Sequence, residues 1–193
     1  HRAKKLGYEV ETTLISLEEV FNAEDFDIVM FGGGQDYEQT VVAKDLQNKK
    51  EALIQYIEDN GIVVAICGGF QLLGRYYVNA SGERLNGISA IDVCTNGQFP
   101  NRLIGDVEIF NEEFGETYLG YENHIGRTYL GKNMKPLGKI VKGYGNNEED
   151  HAEGCLYKNV FCSYFHGPIL VRNQHLADRI IKTAAQRRRE KNA

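Results

Sequence analysis

The hydrophobic pattern of this chain changes character near its middle. In the first half, short apolar runs alternate with stretches of helical spacing. Residues 8–15 are β-branched in partial alternation and predict a strand, and 17–23 predict a short helix. Residues 27–31 form an apolar run closed by Gly32-Gly33-Gly34, which predicts a second, buried strand. Between 43 and 60, Leu46, Leu53, Ile54 and Ile57 share one helical face, and Asn60-Gly61 stops the helix. Ile62-Val63-Val64-Ala65-Ile66 is too short for a buried helix and rich in β-branched residues, so it predicts a strand buried on both faces. It runs straight into Cys67, Gly68 and Gly69, where an amphipathic turn begins.

Beyond Tyr77 the runs shorten. Strands are predicted at 91–94, 105–110, 117–121, 137–141, 155–157 and 160–165, and the last ends at His166-Gly167-Pro168. A terminal amphipathic helix is predicted over 173–189, with Leu176, Ile180 and Ile181 inward. Strands alternating with helices imply βαβ units and a mostly parallel sheet covered on both faces. The later short strands imply antiparallel additions to that sheet. The class expected is α/β, as a single domain over residues 1–193.

Composition narrows the picture. A formal net charge of −5 argues against nucleic-acid binding as the main role. No apolar run reaches membrane-spanning length. Cys67, Cys94, Cys155 and Cys162 are widely spaced without a CxxC pair, so neither a metal site nor a disulfide framework is expected, and a reducing cytoplasm fits. His1–Gly7 reads as a helix tail with a glycine cap, which leads us to expect further chain upstream.

The candidate chemistry sits at strand ends. A sharp strand–turn–helix corner with small residues two before and two after it, here Ala65 and Gly69, is the shape of a nucleophile elbow. The backbone N–H groups at such a corner favour a thiolate and a developing oxyanion. In an open α/β sheet, ligands bind outside the carboxyl ends of the strands. Gly32-Gly33-Gly34, Cys67 and His166 all fall at such ends. A nucleophilic cysteine needs a base, and only the fold can bring His166 to a Cys67 99 positions away. A buried structural cysteine, a tight glycine turn and a surface histidine are the plain alternatives.

The elbow Ile66-Cys67-Gly68-Gly69-Phe70-Gln71-Leu72-Leu73-Gly74 resembles that of class I (triad-type) glutamine amidotransferases. Gly120-Tyr121-Glu122-Asn123-His124-Ile125-Gly126 and 159–167 resemble motifs of the CobB/CobQ-like branch, which amidates cobyric acid and cobyrinate. The stretches 32–39 and 145–150 are similar to glutaminase subunits that pair, as a heterodimer, with a Mur-ligase-like subunit to amidate the D-glutamate of lipid II. The resemblance implies a flavodoxin-like fold and L-glutamine hydrolysis. Cys67 would be nucleophile and His166 base. Oxyanion donors would come from Gly68 and Gly34, with Gly33, Gln71, Tyr121, Glu122 and above all Arg102 binding substrate. Arg102 would grip the substrate carboxylate, since a guanidinium matches it in bidentate geometry.

It also implies no cofactor on this chain, with ATP and magnesium on the partner. The loop around Glu148-Glu149-Asp150, with Glu153 nearby, would face the partner. Pro168 occupies the position where many class I enzymes carry a glutamate, so either the site is a Cys–His dyad or another group orients His166. Corrinoid amidation and a non-catalytic flavodoxin-like binding module are the competing readings. Cys94, Cys155 and Cys162 are expected in the core.

Overall fold

The computed structural model describes every residue except Gln35, and of Asp36 the backbone alone. The structure is built around a four-stranded sheet of order β1-β2-β12-β11. Its strands β1 (Ile28–Phe31), β2 (Ile62–Ile66) and β12 (Val160–Ser163) run parallel, and β11 (Cys155–Tyr157) is antiparallel to β12. Side chains of β2 alternate between two cores. Val63 and Ala65 face Leu53, Tyr56, Ile57, Phe70 and Leu73 of helices α2 (Asp36–Glu58) and α3 (Gly68–Leu73). Ile62 and Val64 face Leu176 and Ile180 of helix α5 (Gln174–Lys191), with Val107 and Ile109. Both faces of β2 are therefore buried, which is why its sequence is an unbroken apolar run. Burying each of its fully enclosed valine and isoleucine side chains stabilises the fold by about 1.5–3 kcal/mol.

A second, antiparallel sheet has the order β10-β9-β6-β7-β13. It comprises β6 (Leu103–Asn111), β7 (Glu116–His124), β9 (Gly138–Lys142), β10 (Ala152–Glu153) and β13 (Phe165–His166). A third contains β3 (Tyr76–Val78), β4 (Arg84–Asn86), β5 (Val93–Asn96) and β8 (Arg127–Leu130). The short helices α1 (Arg2–Lys5) and α4 (Ile169–Arg172) pack against α5.

Several expectations are corrected. Of the late strands only β11 is an antiparallel addition to the main sheet and β12 joins it in parallel; the rest form two sheets of their own, because their alternating pattern leaves one face for solvent. The predicted strand at 160–165 is two strands in two sheets, with Tyr164 between them. Residues 8–15 form no strand, since none of the described residues pairs with them, and Leu14 is 83% exposed. In place of a helix at 17–23 there is a turn and then one 3-10 turn, Ala23–Asp25. β1 is an edge strand, so its Met30 is 61% exposed rather than buried. Helix α2 starts at Asp36, earlier than the apolar spacing shows, and ends as expected: Asn60 takes a left-handed φ of 60° and the Gly61 N–H closes on Tyr56 O at 2.7 Å.

Candidate active site

Cys67 ends β2 with φ 53° and ψ −109°, a costly conformation for a residue with a side chain. Its surroundings hold it there. The Cys67 N–H donates to Ser163 O at 2.9 Å, the Gly69 N–H donates to Gly32 O at 3.1 Å, and the Gln71 N–H donates to Cys67 O at 3.1 Å. A Cβ on Gly69 would lie 2.6 Å from the Phe31 Cβ, so the turn needs glycine there. This is the strained corner expected of a nucleophile elbow, and the Gly68 N–H donates to the Cys67 sulfur. The glycine loop lies against it. A Cβ on Gly33 would sit 3.2 Å from the Cys67 Cβ and 3.7 Å from its Sγ, and one on Gly68 would meet the Gly34 nitrogen at 3.2 Å. Gly33, Gly34, Cys67 and Gly68 thus converge. Gln35, in the same loop, lies outside the described residues.

His166 reaches this edge by a change of sheet. β12 pairs with β2 up to Ser163 opposite Ile66; the chain then passes through Tyr164 into β13, where His166 pairs with Tyr121 of β7. Residues opposite one another share a face, so half-exposed Tyr121 stands beside His166. Gly167 turns the chain at φ 70° and Pro168 becomes the N-cap of α4, which leaves no acid two residues after the histidine. The His166 Nε2 is buried without a hydrogen-bond partner.

Electrostatics set the protonation states. Burial pushes the Cys67 thiol above its usual range, while the Gly68 N–H and the Arg102 guanidinium pull it back in part. Burial, then the neighbouring His124 and Arg102, pull His166 below the ordinary histidine range. Near pH 7 Cys67 therefore rests as a thiol and His166 as a neutral imidazole, the protonation states that general-base activation of a thiol starts from.

Arg102 influences both members of the pair. Its Nε donates to Asn123 Oδ1 at 2.9 Å and its Nη2 to Asn123 O at 3.1 Å, so one edge of the exposed guanidinium is held by β7. Glu122 and Gln71 are placed differently from the expectation that they line the pocket. Glu122 is fully buried; its carboxylate accepts the N–H of Tyr144 at 2.7 Å and of Gly145 at 2.9 Å. It lies 3.7 Å from the buried His124 Nε2. The Gln71 amide is engaged at both ends, by Gln39 at 2.6 Å and by Tyr164 OH at 3.1 Å. His124 stacks on Tyr164 at 3.7 Å between ring centroids.

The loop between β9 and β12 is also more internal than its charge suggests. Glu153 is wholly buried rather than on a partner face: its carboxylate accepts the Tyr164 N–H at 2.6 Å and the Ser163 hydroxyl at 3.1 Å. Asn146 and Gly154 clasp each other by two bonds, at 3.0 and 2.8 Å. Glu148 pairs with the buried Arg127 at 2.7 Å. Cys155 and Cys162 are core residues as expected, whereas Cys94 is half-buried. Gln39, Arg127, Thr128 and Tyr164 escaped the sequence reading. One signal was available: Gln39 lies on the same helical face as Ala43 and Leu46, a polar residue in an apolar stripe.

With the geometry in place, the class is defined: the chain belongs to the CobB/CobQ-like glutamine amidotransferase domain family, whose model matches residues 3–174. It is 54% identical over 186 residues to "lipid II isoglutaminyl synthase (glutamine-hydrolyzing) subunit GatD" of Streptococcus pneumoniae, covering 96% of this chain and 72% of that protein. The subunit of the same name from Staphylococcus aureus is 41% identical over 187 residues, covering 97% and 75%. A cobyric acid synthase of Listeria innocua is 30% identical over 164 residues, covering 79% of this chain and 31% of that protein. A solved glutamine amidotransferase superposes with TM-score 0.63 at 18% identity, covering 95% of this chain and 90% of that one, and so shares the fold.

Proposed function

We propose that this chain is the glutamine-hydrolysing subunit of a two-component amidating enzyme that converts the D-glutamate of lipid II to D-isoglutamine. His166 takes the Cys67 proton as the sulfur attacks the γ-amide carbon of glutamine. The N–H groups of Gly68 and Gly34 receive the oxyanion. Collapse of the tetrahedral species breaks the C–N bond, His166 returns the proton to the leaving nitrogen, and ammonia departs from a γ-glutamyl thioester. Water, deprotonated by His166, then releases glutamate and the free thiol. Arg102 holds the substrate α-carboxylate, and Tyr121 flanks the entrance.

The observation that carries this reading is the strained Cys67 elbow, with the glycine loop against it and the strand to His166 leaving from its neighbour. The relatives are named as subunits of a synthase, which supports assigning acceptor activation with ATP and magnesium to a second polypeptide, a MurT-like member of the Mur ligase family. None of the helices among the described residues is long and apolar enough to cross a membrane, and we place the reaction on the cytoplasmic side, where the acceptor is presented on its lipid.

The decisive test is covalent trapping. Diazo-oxo-norleucine should add its carbon skeleton to Cys67, seen by peptide mass spectrometry. The Cys67→Ser protein should fold normally, take up no label and hydrolyse no glutamine. An unlabelled wild-type Cys67 would leave only a binding module. Glutamine-dependent amidation of lipid II should then require both subunits, and amidation by this chain alone would refute the division of labour.

A further inference from the structure

Beneath the elbow runs a continuous string of buried polar side chains. Gln39 of α2 donates from Nε2 to Gln71 Oε1 of α3 at 2.6 Å, and Gln71 Nε2 donates to the Tyr164 hydroxyl at 3.1 Å. That hydroxyl is 2.6 Å from Thr128 Oγ1 of β8, which is 2.7 Å from Thr95 Oγ1 of β5. All five residues are buried, with exposures from 0 to 5%. A buried amide without partners costs about 1–3 kcal/mol, so a string this deep persists only because each member satisfies the next.

Its first member touches the catalytic backbone. A Cβ on Gly68 would fall 2.6 Å from Gln39 Nε2 and 3.2 Å from the nitrogen of Gly34. The Gln39 amide therefore packs directly against the α-carbon of Gly68, beside Gly34, the two residues proposed above to supply the oxyanion donors. Its other contacts lead to Tyr164, the residue between Ser163 of β12 and the strand that carries His166. One side chain thus links the two sides of the cradle to the base. The strain at Cys67, φ 53° and ψ −109°, gives the link something to hold.

We propose that Gln39 is a positioning residue of the reaction: its amide fixes the spacing of the Gly34 and Gly68 N–H groups and ties that cradle, through Gln71 and Tyr164, to the His166 strand. This rests on the glutaminase reading above. Gln39 touches no substrate. Its effect falls on the transition state, because a donor pair displaced by a fraction of an ångström still admits glutamine but meets the oxyanion badly.

Two variants test it, with glutamine hydrolysis measured over a range of pH and diazo-oxo-norleucine labelling run alongside. Gln39→Met keeps the volume and removes the hydrogen bond; kcat should fall roughly ten- to hundredfold with KM within about twofold, as expected for loss of transition-state alignment alone. Gln39→Glu keeps shape and polarity but sets a carboxyl beside the cradle. Its kcat should fall further as pH rises and the group ionises, and recover towards the wild-type value as pH falls, relative to the wild-type profile. A merely structural role would not produce that pH-dependent term. Unchanged kcat in Gln39→Met, or a Gln39→Glu profile parallel to wild type, overturns the proposal, and the second variant decides if the first does not fold. If the wild-type protein itself neither hydrolyses glutamine nor labels at Cys67, the glutaminase reading fails instead, and the two failures are told apart.

Discussion

Cys67 and His166 are held in opposite directions by the same cause. Desolvation raises the thiol and lowers the imidazole, so both are neutral at the resting site. The acid limb of kcat/KM should therefore follow His166 protonation, with its midpoint below the ordinary histidine value of about 6.5. Arg102 acts on both groups as a nearby cation that lowers their pKa values. Replacing it with alanine removes that influence, so the acid limb should move to higher pH. The same substitution should raise KM for glutamine roughly 10- to 100-fold, through loss of a charge-assisted pair with the carboxylate. A pH–rate series on both proteins measures the two effects together. A limb that stays in place with KM unchanged would make Arg102 a surface residue tethered to Asn123.

Among the elements, the segment that turns from β12 to β13 is organised by Glu153. Burial, with Glu122 nearby, pushes this carboxyl up to about 8, although it accepts bonds from Tyr164 and Ser163. Below its ordinary value of 4.5, folded and unfolded chains both carry the proton. As pH rises from there to about 8, the unfolded chain releases it and the folded chain retains it, so stability declines across that window and then levels off. Glu153→Gln keeps the acceptor oxygen without the titration. Urea denaturation at about pH 5 and about pH 8.5 should show the variant gaining stability over wild type at the higher pH; parallel curves would contradict this.

Glu153 also marks where the sequence stopped being legible. The buried parallel strands, the elbow and the terminal helix were readable because burial on two faces or along one stripe writes itself into the order of apolar residues. The division of 160–165 between two sheets left no such mark: Phe161, Cys162 and Phe165 are apolar in either arrangement. What divides them is one carboxyl group meeting the Tyr164 N–H from another strand, a long-range pairing that local pattern does not carry. Likewise Cys67, His166 and Arg102 were visible by residue type and position. Gln71 and Glu122 were visible too, but their inward orientation is set by partners far away in the chain, Tyr164 for the one and Tyr144 with Gly145 for the other.

For the whole molecule, the loop over 143–154 is the place to look for coupling to the proposed ligase subunit. It is pinned at Glu122, Thr128 and Arg127, and it carries exposed Glu149 and Asp150 at its tip. Amide hydrogen exchange on mixing with the Mur-ligase-like subunit should show increased protection there; unchanged exchange would move the contact elsewhere on the surface. The residues proposed as nucleophile and base leave different sheets: Cys67 follows β2 of the main sheet, and His166 ends β13 of the antiparallel one, with Tyr164 alone between β12 and β13. The spacing of sulfur and imidazole is thus inherited from how the two sheets seat on the core they share, where Val64 and Phe161 of one meet Ile109 and Phe165 of the other.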